Sequence, residues 1–170
     1  IRTYYLLLNN KSALEMVRNV YKYILIDEFQ DINKVQFEVL KLICSPLNNI
    51  FAVGDEDQSI YGFRGARPDF LLEFEQYFNN TKKIILDINY RSKSEIVHTA
   101  NRLIDKNKNR YEKIIKCSQG DGGSVTYISP HDSEEEALYI AREIIDEIQK
   151  DYVEYSDFAV IYRTNIQSRA

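Results

Sequence analysis

Two adjacent carboxylates, Asp27 and Glu28, are the residues of this 170-residue chain whose types and spacing best suit chemistry. They follow the apolar run 23–26, which predicts a short strand buried on both faces of a parallel sheet. Open α/β sheets bind their ligands at the carboxyl ends of such strands. Because consecutive strand residues point in different directions, one carboxylate could hold a metal-bound water while the other faces an attacking water. A helix-capping turn is the alternative interpretation.

Two further apolar runs predict strands that end in sequence suited to ligand binding. Residues 50–53 lead into GDEDQSIYGFRGARPDF at 54–70, and residues 84–86 lead into DINYRS at 87–92. Each run therefore ends in polar, glycine-bearing or arginine-bearing sequence. Three strand ends that converge on one sheet edge would form a binding site there.

The elements that must position these residues alternate between helix and strand. Apolar spacing predicts helices over 33–43 with Asn33 as the cap, from Pro68 to residue 77, over 96–104, and over 133–148, where Ser133 and Glu136 form a capping-box signature. Further strands are predicted at 125–128 and 158–162. The hydrophilic stretch 105–116 and the turn 120–123 are predicted to be loop. The fold class is therefore α/β.

Four segments, in the same order along the chain, resemble motifs of the UvrD/Rep/PcrA-type superfamily 1 DNA helicases. ILIDEFQD at 24–31 resembles motif II, VGDEDQSIYGFRGA at 53–66 resembles motif III, NYRS at 89–92 resembles motif IV, and FAVIYRTNIQSRA at 158–170 resembles the downstream YRTNAQSR segment. The resemblance implies parts of two RecA-like parallel-sheet domains of the P-loop NTPase type, both incomplete. Residues 1–88 would be the C-terminal half of the first domain, and residues 89–170 the N-terminal part of the second.

The resemblance also implies a role for each matched nucleotide-site residue, with ATP and Mg²⁺ as the groups bound. Asp27 corresponds to the Mg²⁺-associated aspartate, through water, and Glu28 to the catalytic base. Gln58 corresponds to the glutamine that senses the γ-phosphate. Tyr90 corresponds to the tyrosine that stacks on adenine, and Arg91 to the arginine that reaches the γ-phosphate from the neighbouring domain. A turn glutamine and a salt bridge beside a helix start remain the alternatives for Gln58 and Arg91.

A second group of matched residues implies contact with single-stranded DNA and with junctions of single and double strands. Tyr61 and Phe63 correspond to aromatics on which bases stack, although well-known relatives carry Trp at the second position. Packing in the cleft between domains is the alternative for this pair. Arg64 is expected to contact the nucleotide or DNA, or to form ion pairs across the cleft. Asn165 lies in the segment that resembles one near the DNA path.

The sequence contains no phosphate-binding loop of the form G-x-x-x-x-G-K-[ST], because none of its six glycines precedes a lysine. In the family this loop lies upstream of motif II, and the arginine-bearing motif VI lies downstream of motif IV. The chain also begins with Ile1. We therefore expect an internal fragment whose partner is the remainder of a helicase chain, and which has no ATPase activity by itself.

Composition adds few constraints. The formal net charge of −4 is mildly acidic and does not favour nucleic-acid binding, although single strands can be held by local grooves and stacking. Cys44 and Cys117 are far apart in sequence, which predicts neither a zinc site nor a disulfide framework and favours a reducing cytoplasm. No apolar run approaches the roughly 18 residues of a membrane span, so no membrane partner is expected.

Three functions fit these observations. The first is part of an ATP-dependent 3′ to 5′ DNA helicase or translocase that serves DNA repair or replication. The second is the helicase subunit of a helicase-nuclease of the RecB or AddA kind. The third is a non-catalytic relative that only binds DNA or protein, which the acidic pair, Gln58, Tyr90 and Arg91 disfavour because a chain without hydrolysis has no need of that set.

Overall fold

The structure is a computed structural model that describes residues 1–150 and 152–164. The predicted DNA contact Asn165 lies outside the described residues. Contacts within the chain group it into two compact units, Ile1–Ser124 and Val125–Ala170. The described elements are helices and parallel strands, which confirms the predicted α/β class. The division of family domains at residue 88 stays a prediction.

A parallel pair of strands carries the acidic residues. Strand β1 (Ile24–Ile26) pairs with strand β2 (Ile50–Ala52), so that Leu25 lies beside Phe51. Leu25 is 75% exposed and Phe51 is 60% exposed, whereas their strand neighbours face an aromatic core. The prediction of burial on both faces is therefore wrong. The core covers only one face of this sheet within the described part of the chain.

Three helices pack beside this pair. Helices α1 (Arg2–Asn9) and α2 (Lys11–Val20) contact each other and helix α3 (Lys34–Cys44). The side chain of Asn33 accepts hydrogen bonds at the start of α3, and the Gln36 side chain accepts one from the Asn33 N–H at 2.8 Å. This reciprocal arrangement satisfies backbone donors that the first turn leaves unpaired, and it confirms Asn33 as the cap.

The core of the first unit is mainly aromatic. Its buried members are Phe29, Ile32, Phe37, Cys44, Phe70, Phe74 and Phe78. The helix predicted from Pro68 to residue 77 forms two short pieces, α4 (Asp69–Leu72) and α5 (Phe74–Tyr77). The division falls at Glu73, whose backbone leaves the helical region at φ −100° and ψ 14°. The aromatic residues Phe70 and Phe74 of the two pieces nevertheless remain in the core, and their burial holds this segment against the sheet.

A second parallel pair carries the predicted motif IV. Strand β3 (Ile88–Asn89) pairs with strand β4 (Lys116–Cys117), and the predicted helix, α6 (Ser94–Ile104), lies between them in sequence. Strand β4 was not predicted, and its Lys116 ends the stretch predicted to be loop. The predicted strand at 84–86 is wrong, because those residues are exposed and pair with no strand in the described chain. The expected convergence of three strand ends on one edge is wrong for the same reason. Among the described residues, β1 and β2 form one two-stranded sheet and β3 and β4 form another.

The second unit contains the predicted long helix, α7 (Ser133–Lys150). Its first turn is capped by Asp132, whose side chain accepts from the N–H groups of Glu134 at 3.0 Å and Glu135 at 2.9 Å. The cap therefore lies one residue before the predicted Ser133, and the Glu135 side chain accepts from the His131 N–H at 2.7 Å instead of closing a capping box. The strands predicted at 125–128 and 158–162 are wrong, because both segments lack a paired neighbour among the described residues.

Candidate nucleotide and DNA site

Asp27 and Glu28 lie directly after β1, and both side chains are exposed. Glu28 adopts the left-handed conformation at φ 51° and ψ 45°, which is uncommon for a residue with a side chain. Its N–H donates to Asp27 Oδ1 at 2.9 Å. The next residue, Phe29, is fully buried and donates from its N–H to the Val53 carbonyl at 2.9 Å. These contacts hold an otherwise unfavourable backbone turn at the acidic pair.

Gln30 links the acidic pair to the loop after β2. Its side chain is buried, and its Nε2 donates to Glu28 Oε2 at 2.7 Å, while its Oε1 accepts from the Asp55 N–H at 3.0 Å. A Cβ atom on Gly54 would lie 2.7 Å from Gln30 Oε1, so the close approach requires glycine there. Gln30 was not among the residues predicted from the sequence to have a functional role. The available signal was its place two residues after Glu28 in ILIDEFQD.

Gln58 ends a short 3₁₀ helix, Glu56–Gln58, which Asp55 caps. Its Nε2 donates to Asp55 Oδ2 at 2.8 Å. An ionised carboxylate only accepts hydrogen bonds, so this contact turns the amide nitrogen toward Asp55 and leaves Oε1 as an acceptor. Hydrogen bonds thus connect Glu28, Gln30, Asp55 and Gln58 in one series. The structure brings the predicted base and the predicted phosphate-sensing glutamine into the same network.

Three consecutive carboxylates in this loop, Asp55, Glu56 and Asp57, have oxygen atoms within 4.8 Å of one another. Lys113 Nζ lies 2.7 Å from Asp55 Oδ1, and Arg110 Nη2 lies 2.8 Å from Asp57 Oδ2. Burial raises the pKa of Asp55, but hydrogen bonds from Lys113 and Gln58 outweigh it and hold that pKa below its ordinary value. Lys113 and Arg110 therefore neutralise charge on this cluster, so it is poorly suited to binding a metal ion.

Tyr61, Phe63 and Arg64 form an exposed group around the short 3₁₀ helix Gly62–Arg64. The two ring centroids are 6.0 Å apart, and Phe63 is 76% exposed. The Arg64 guanidinium carbon lies 4.9 Å from the Tyr61 centroid and 5.3 Å from the Phe63 centroid. Cation–π contacts with both rings thus hold Arg64 in this group. Flat exposed faces beside a positive charge are chemically suited to stacked bases and phosphate.

Tyr90 and Arg91 lie in the turn between β3 and α6. Asn89 Oδ1 accepts from the N–H groups of Arg91 at 2.9 Å and Ser92 at 2.8 Å, and the Gln119 side chain donates to the Tyr90 carbonyl. Both predicted nucleotide contacts are exposed. In the described part of the chain, no hydrogen bond or ion pair joins them to the acidic pair or Gln58. These hydrogen bonds therefore hold the turn at Tyr90 and Arg91, and they do not connect it to the hydrogen-bond network after β1 and β2.

Comparison with protein families gives two adjacent matches. The UvrD/REP helicase N-terminal domain matches residues 1–79, and the UvrD-like helicase C-terminal domain matches residues 84–170. The chain belongs to the UvrD-like helicase family. This confirms the resemblance inferred from the four motifs.

Individual relatives of this UvrD-like helicase chain are similar over nearly all of its length. The Bacillus subtilis protein YjcD is 43% identical over 167 residues, which is 98% of this chain and 22% of YjcD. PcrA proteins of Staphylococcus epidermidis and Staphylococcus aureus are 40% identical over 158 residues, which is 93% of this chain and 22% of each relative. They are named ATP-dependent DNA helicases. The chain thus spans about a fifth of the length of these relatives.

The two family matches meet between the core of the first unit and β3. The acidic pair, Gln58 and the aromatic group lie in the N-terminal match, whereas Tyr90 and Arg91 lie in the C-terminal match. Among the described helices of this UvrD-like helicase chain, none combines the length and apolar character that crossing a bilayer requires.

Proposed function

We propose that the protein to which this chain contributes is an ATP-dependent 3′ to 5′ DNA helicase or translocase. It would couple ATP hydrolysis to movement on single-stranded DNA and to unwinding of duplex DNA in repair or replication. The observation that supports this most is the hydrogen-bonded series from Glu28 through Gln30 and Asp55 to Gln58. It sits at the carboxyl ends of two parallel strands, where α/β sheets bind ligands.

In this proposal, Glu28 acts as the general base toward the water that attacks the γ-phosphate of ATP. The hydrogen bond from Gln30 fixes one carboxylate oxygen of Glu28 and so limits the directions in which the other can face. Gln58 offers its Oε1 as an acceptor to the attacking water or its remaining N–H to a phosphate oxygen. Tyr90 would stack on adenine, and Arg91 would stabilise charge that grows on the transferred phosphoryl group.

The residues present fit a bound Mg²⁺ at the acidic pair. Asp27 and Glu28 are exposed carboxylates at a strand end, and carboxylate oxygen is the hard ligand that Mg²⁺ prefers. Asp27 would hold the ion through water, and the bound ion would neutralise charge on the phosphates of ATP. Asp55 and its acidic neighbours are less suitable because Lys113 and Arg110 already pair with them.

The DNA partner would be a single strand, or a junction of single and double strands, with bases stacked on Tyr61 and Phe63. Stacking depends little on base identity, as a translocating motor requires. Arg64 would contribute positive charge beside these rings, and Asn165 a further DNA contact. The remainder of the helicase chain would supply phosphate binding, and the proposed compartment is the cytoplasm. The helicase-nuclease and non-catalytic alternatives gain no specific support.

Substitution of Glu28 by Gln in the whole protein tests the proposed function. We expect Glu28→Gln to abolish DNA-stimulated ATP hydrolysis and to leave ATP binding unchanged, because the amide retains the shape but cannot accept the proton. Glu15→Gln on α2, at a side chain that is 58% exposed, removes the same charge as a control. Hydrolysis by Glu28→Gln at the rate of the control would contradict the proposal.

A further inference from the structure

Two cations from the segment after α6 pair with the three carboxylates of the Gln58 loop. Arg110 donates to Asp57 through Nε at 3.1 Å and Nη2 at 2.8 Å, with side chains only 12% and 8% exposed. Lys113 Nζ contacts Asp55 Oδ1 at 2.7 Å and Glu56 Oε1 at 3.0 Å, and its side chain is 10% exposed. These partners are more than fifty residues apart in sequence. We call Arg110, Tyr111 and Lys113 the basic clip.

Tyr111 anchors the basic clip through its backbone, hydroxyl and ring. Its N–H donates to Glu56 Oε1 at 3.0 Å, and its hydroxyl donates to the Leu71 carbonyl at 2.7 Å. Lys83 Nζ lies 4.6 Å from the centre of its ring. The clip is thus joined to the Gln58 loop through the Tyr111 N–H and the two charged side chains, and to α4 through the Tyr111 hydroxyl.

Holding two segments together does not by itself require buried charge. Burying a charge carries a desolvation penalty, and well-packed apolar residues of similar volume often hold segments as well or better. Charged hydrogen bonds instead fix the direction of each partner, because guanidinium and ammonium donors meet carboxylate oxygens at defined positions. If the clip serves to orient these carboxylates, the carboxylates should in turn contact a side chain whose orientation matters.

Asp55 is the carboxylate that the basic clip and Gln58 share. Its Oδ1 accepts from Lys113 and from the Asp57 N–H, and its Oδ2 accepts from Gln58 Nε2 at 2.8 Å. Rotation of Asp55 would release the amide, whose oxygen and nitrogen could then exchange places. While Lys113 holds Asp55 in place, the Gln58 amide nitrogen faces Asp55, and Gln58 Oε1 remains available to accept a hydrogen bond.

We infer that Lys113 is a positioning residue that sets the orientation of the Gln58 amide through Asp55, with Arg110 supporting the same loop through Asp57. The inference rests on the proposed function and deepens it. It places the control of a predicted phosphate-sensing side chain in a segment outside the four recognised motifs. Lys113 itself would touch neither nucleotide nor DNA.

The test compares Lys113→Met with Lys116→Met in the whole protein. Lys116 is 70% exposed and pairs only with Asp87 among described residues, so it controls for the loss of one positive charge. We expect Lys113→Met to lower the kcat of DNA-stimulated ATP hydrolysis on the order of ten- to a hundredfold, with KM for ATP and Kd for single-stranded DNA within about twofold. Lys113→Arg should restore part of the loss. An unchanged kcat, or a loss equal to that of Lys116→Met, would overturn the inference.

A double-mutant cycle separates positioning from general destabilisation. If Lys113 acts through Gln58, Lys113→Met should lower kcat in the wild-type background but produce no further loss in a Gln58→Ala background. Equal losses in both backgrounds would overturn the inference. Should Lys113→Met fail to fold, Asp55→Asn takes its place in the same cycle, since the amide preserves shape while permitting either orientation of Gln58. Absence of DNA-stimulated hydrolysis in the wild type would instead refute the proposed function.

Discussion

Gln30 and Glu28 are joined by a 2.7 Å hydrogen bond from the buried amide nitrogen to the exposed carboxylate. The same amide accepts from the Asp55 backbone at 3.0 Å. Because the side chain of Gln30 is enclosed, its two contacts leave little freedom for the loop after β2 to move relative to the acidic pair. The orientation of the predicted base therefore depends on a neutral residue that touches neither water nor phosphate in the proposed chemistry.

Replacement of Gln30 by Leu should reduce both catalysis and stability. The change preserves volume but leaves the Asp55 N–H without its acceptor, which costs about 1 to 3 kcal/mol when the group is buried. We expect a kcat loss on the order of tenfold in the whole protein, because Glu28 loses its fixed direction. Steady-state ATP hydrolysis and urea unfolding measure the two effects. The exposed Gln76→Leu is the matched control, and equal behaviour of the two variants would contradict the role of Gln30.

The aromatic core predicts a large difference between two phenylalanines. Phe37 is 1% exposed and stacks on Phe70 with centroids 4.0 Å apart, whereas Phe63 is 76% exposed. Phe37→Ala should lower the free energy of unfolding by about 3 to 5 kcal/mol, and Phe63→Ala by less than about 0.5 kcal/mol. Urea denaturation followed by circular dichroism measures both. Similar unfolding midpoints for the two variants would show that the core is not built around Phe37.

Elements encoded by neighbouring residues were predictable from the sequence. Helix α3 followed from the Asn33 cap and apolar spacing, and β1 and β2 followed from continuous apolar runs. The α7 cap was misplaced by one residue because Asp132 and Ser133 are both good caps, and only coordinates show which side chain accepts the bonds. The apolar run 84–86 has the composition of a strand, but a strand also needs a neighbouring strand to pair with, and none among the described residues pairs with it.

Contacts between distant residues were not predictable in the same way. Arg110 and Lys113 lie in a hydrophilic stretch that predicted only a loop, and nothing local indicates carboxylates more than fifty residues earlier as their partners. Gln30 likewise resembles a surface glutamine until the fold encloses it. The motifs therefore gave candidate residues for the proposed chemistry, whereas the hydrogen-bond network around them required the three-dimensional arrangement.

The Asp55–Lys113 pair predicts a stability difference that depends on pH. The pKa of Asp55 in the folded chain lies below its ordinary value of 3.8, so its contribution is present above that value and is lost as pH falls through the folded pKa. The pKa of Lys113 lies above its ordinary 10.5, so its contribution is lost as pH rises beyond that value. The gap in unfolding free energy between wild type and Lys113→Met should therefore be constant near neutrality.

Urea titrations between pH 3 and pH 7 measure that gap, and we expect it to shrink below about pH 3.8. Lys116→Met serves as the comparison, because exposed pairs contribute little. A gap that grows as the solution is acidified would show that Asp55 is not stabilised in its charged form.

Tyr61→Ala should weaken binding of single-stranded DNA by the whole protein to a similar extent for every base composition. Loss of one stacking face costs about 1 to 3 kcal/mol, and each base offers a flat face of comparable kind. The loss should persist at high salt because stacking does not depend on released counterions, unlike contacts made by Arg64. Fluorescence anisotropy with labelled thymine and adenine oligonucleotides measures both dependences. Tyr21→Ala, at a ring that is 60% exposed after α2, is the control. Equal affinity of these two variants would indicate that the ring pair at Tyr61 and Phe63 lies away from the DNA path.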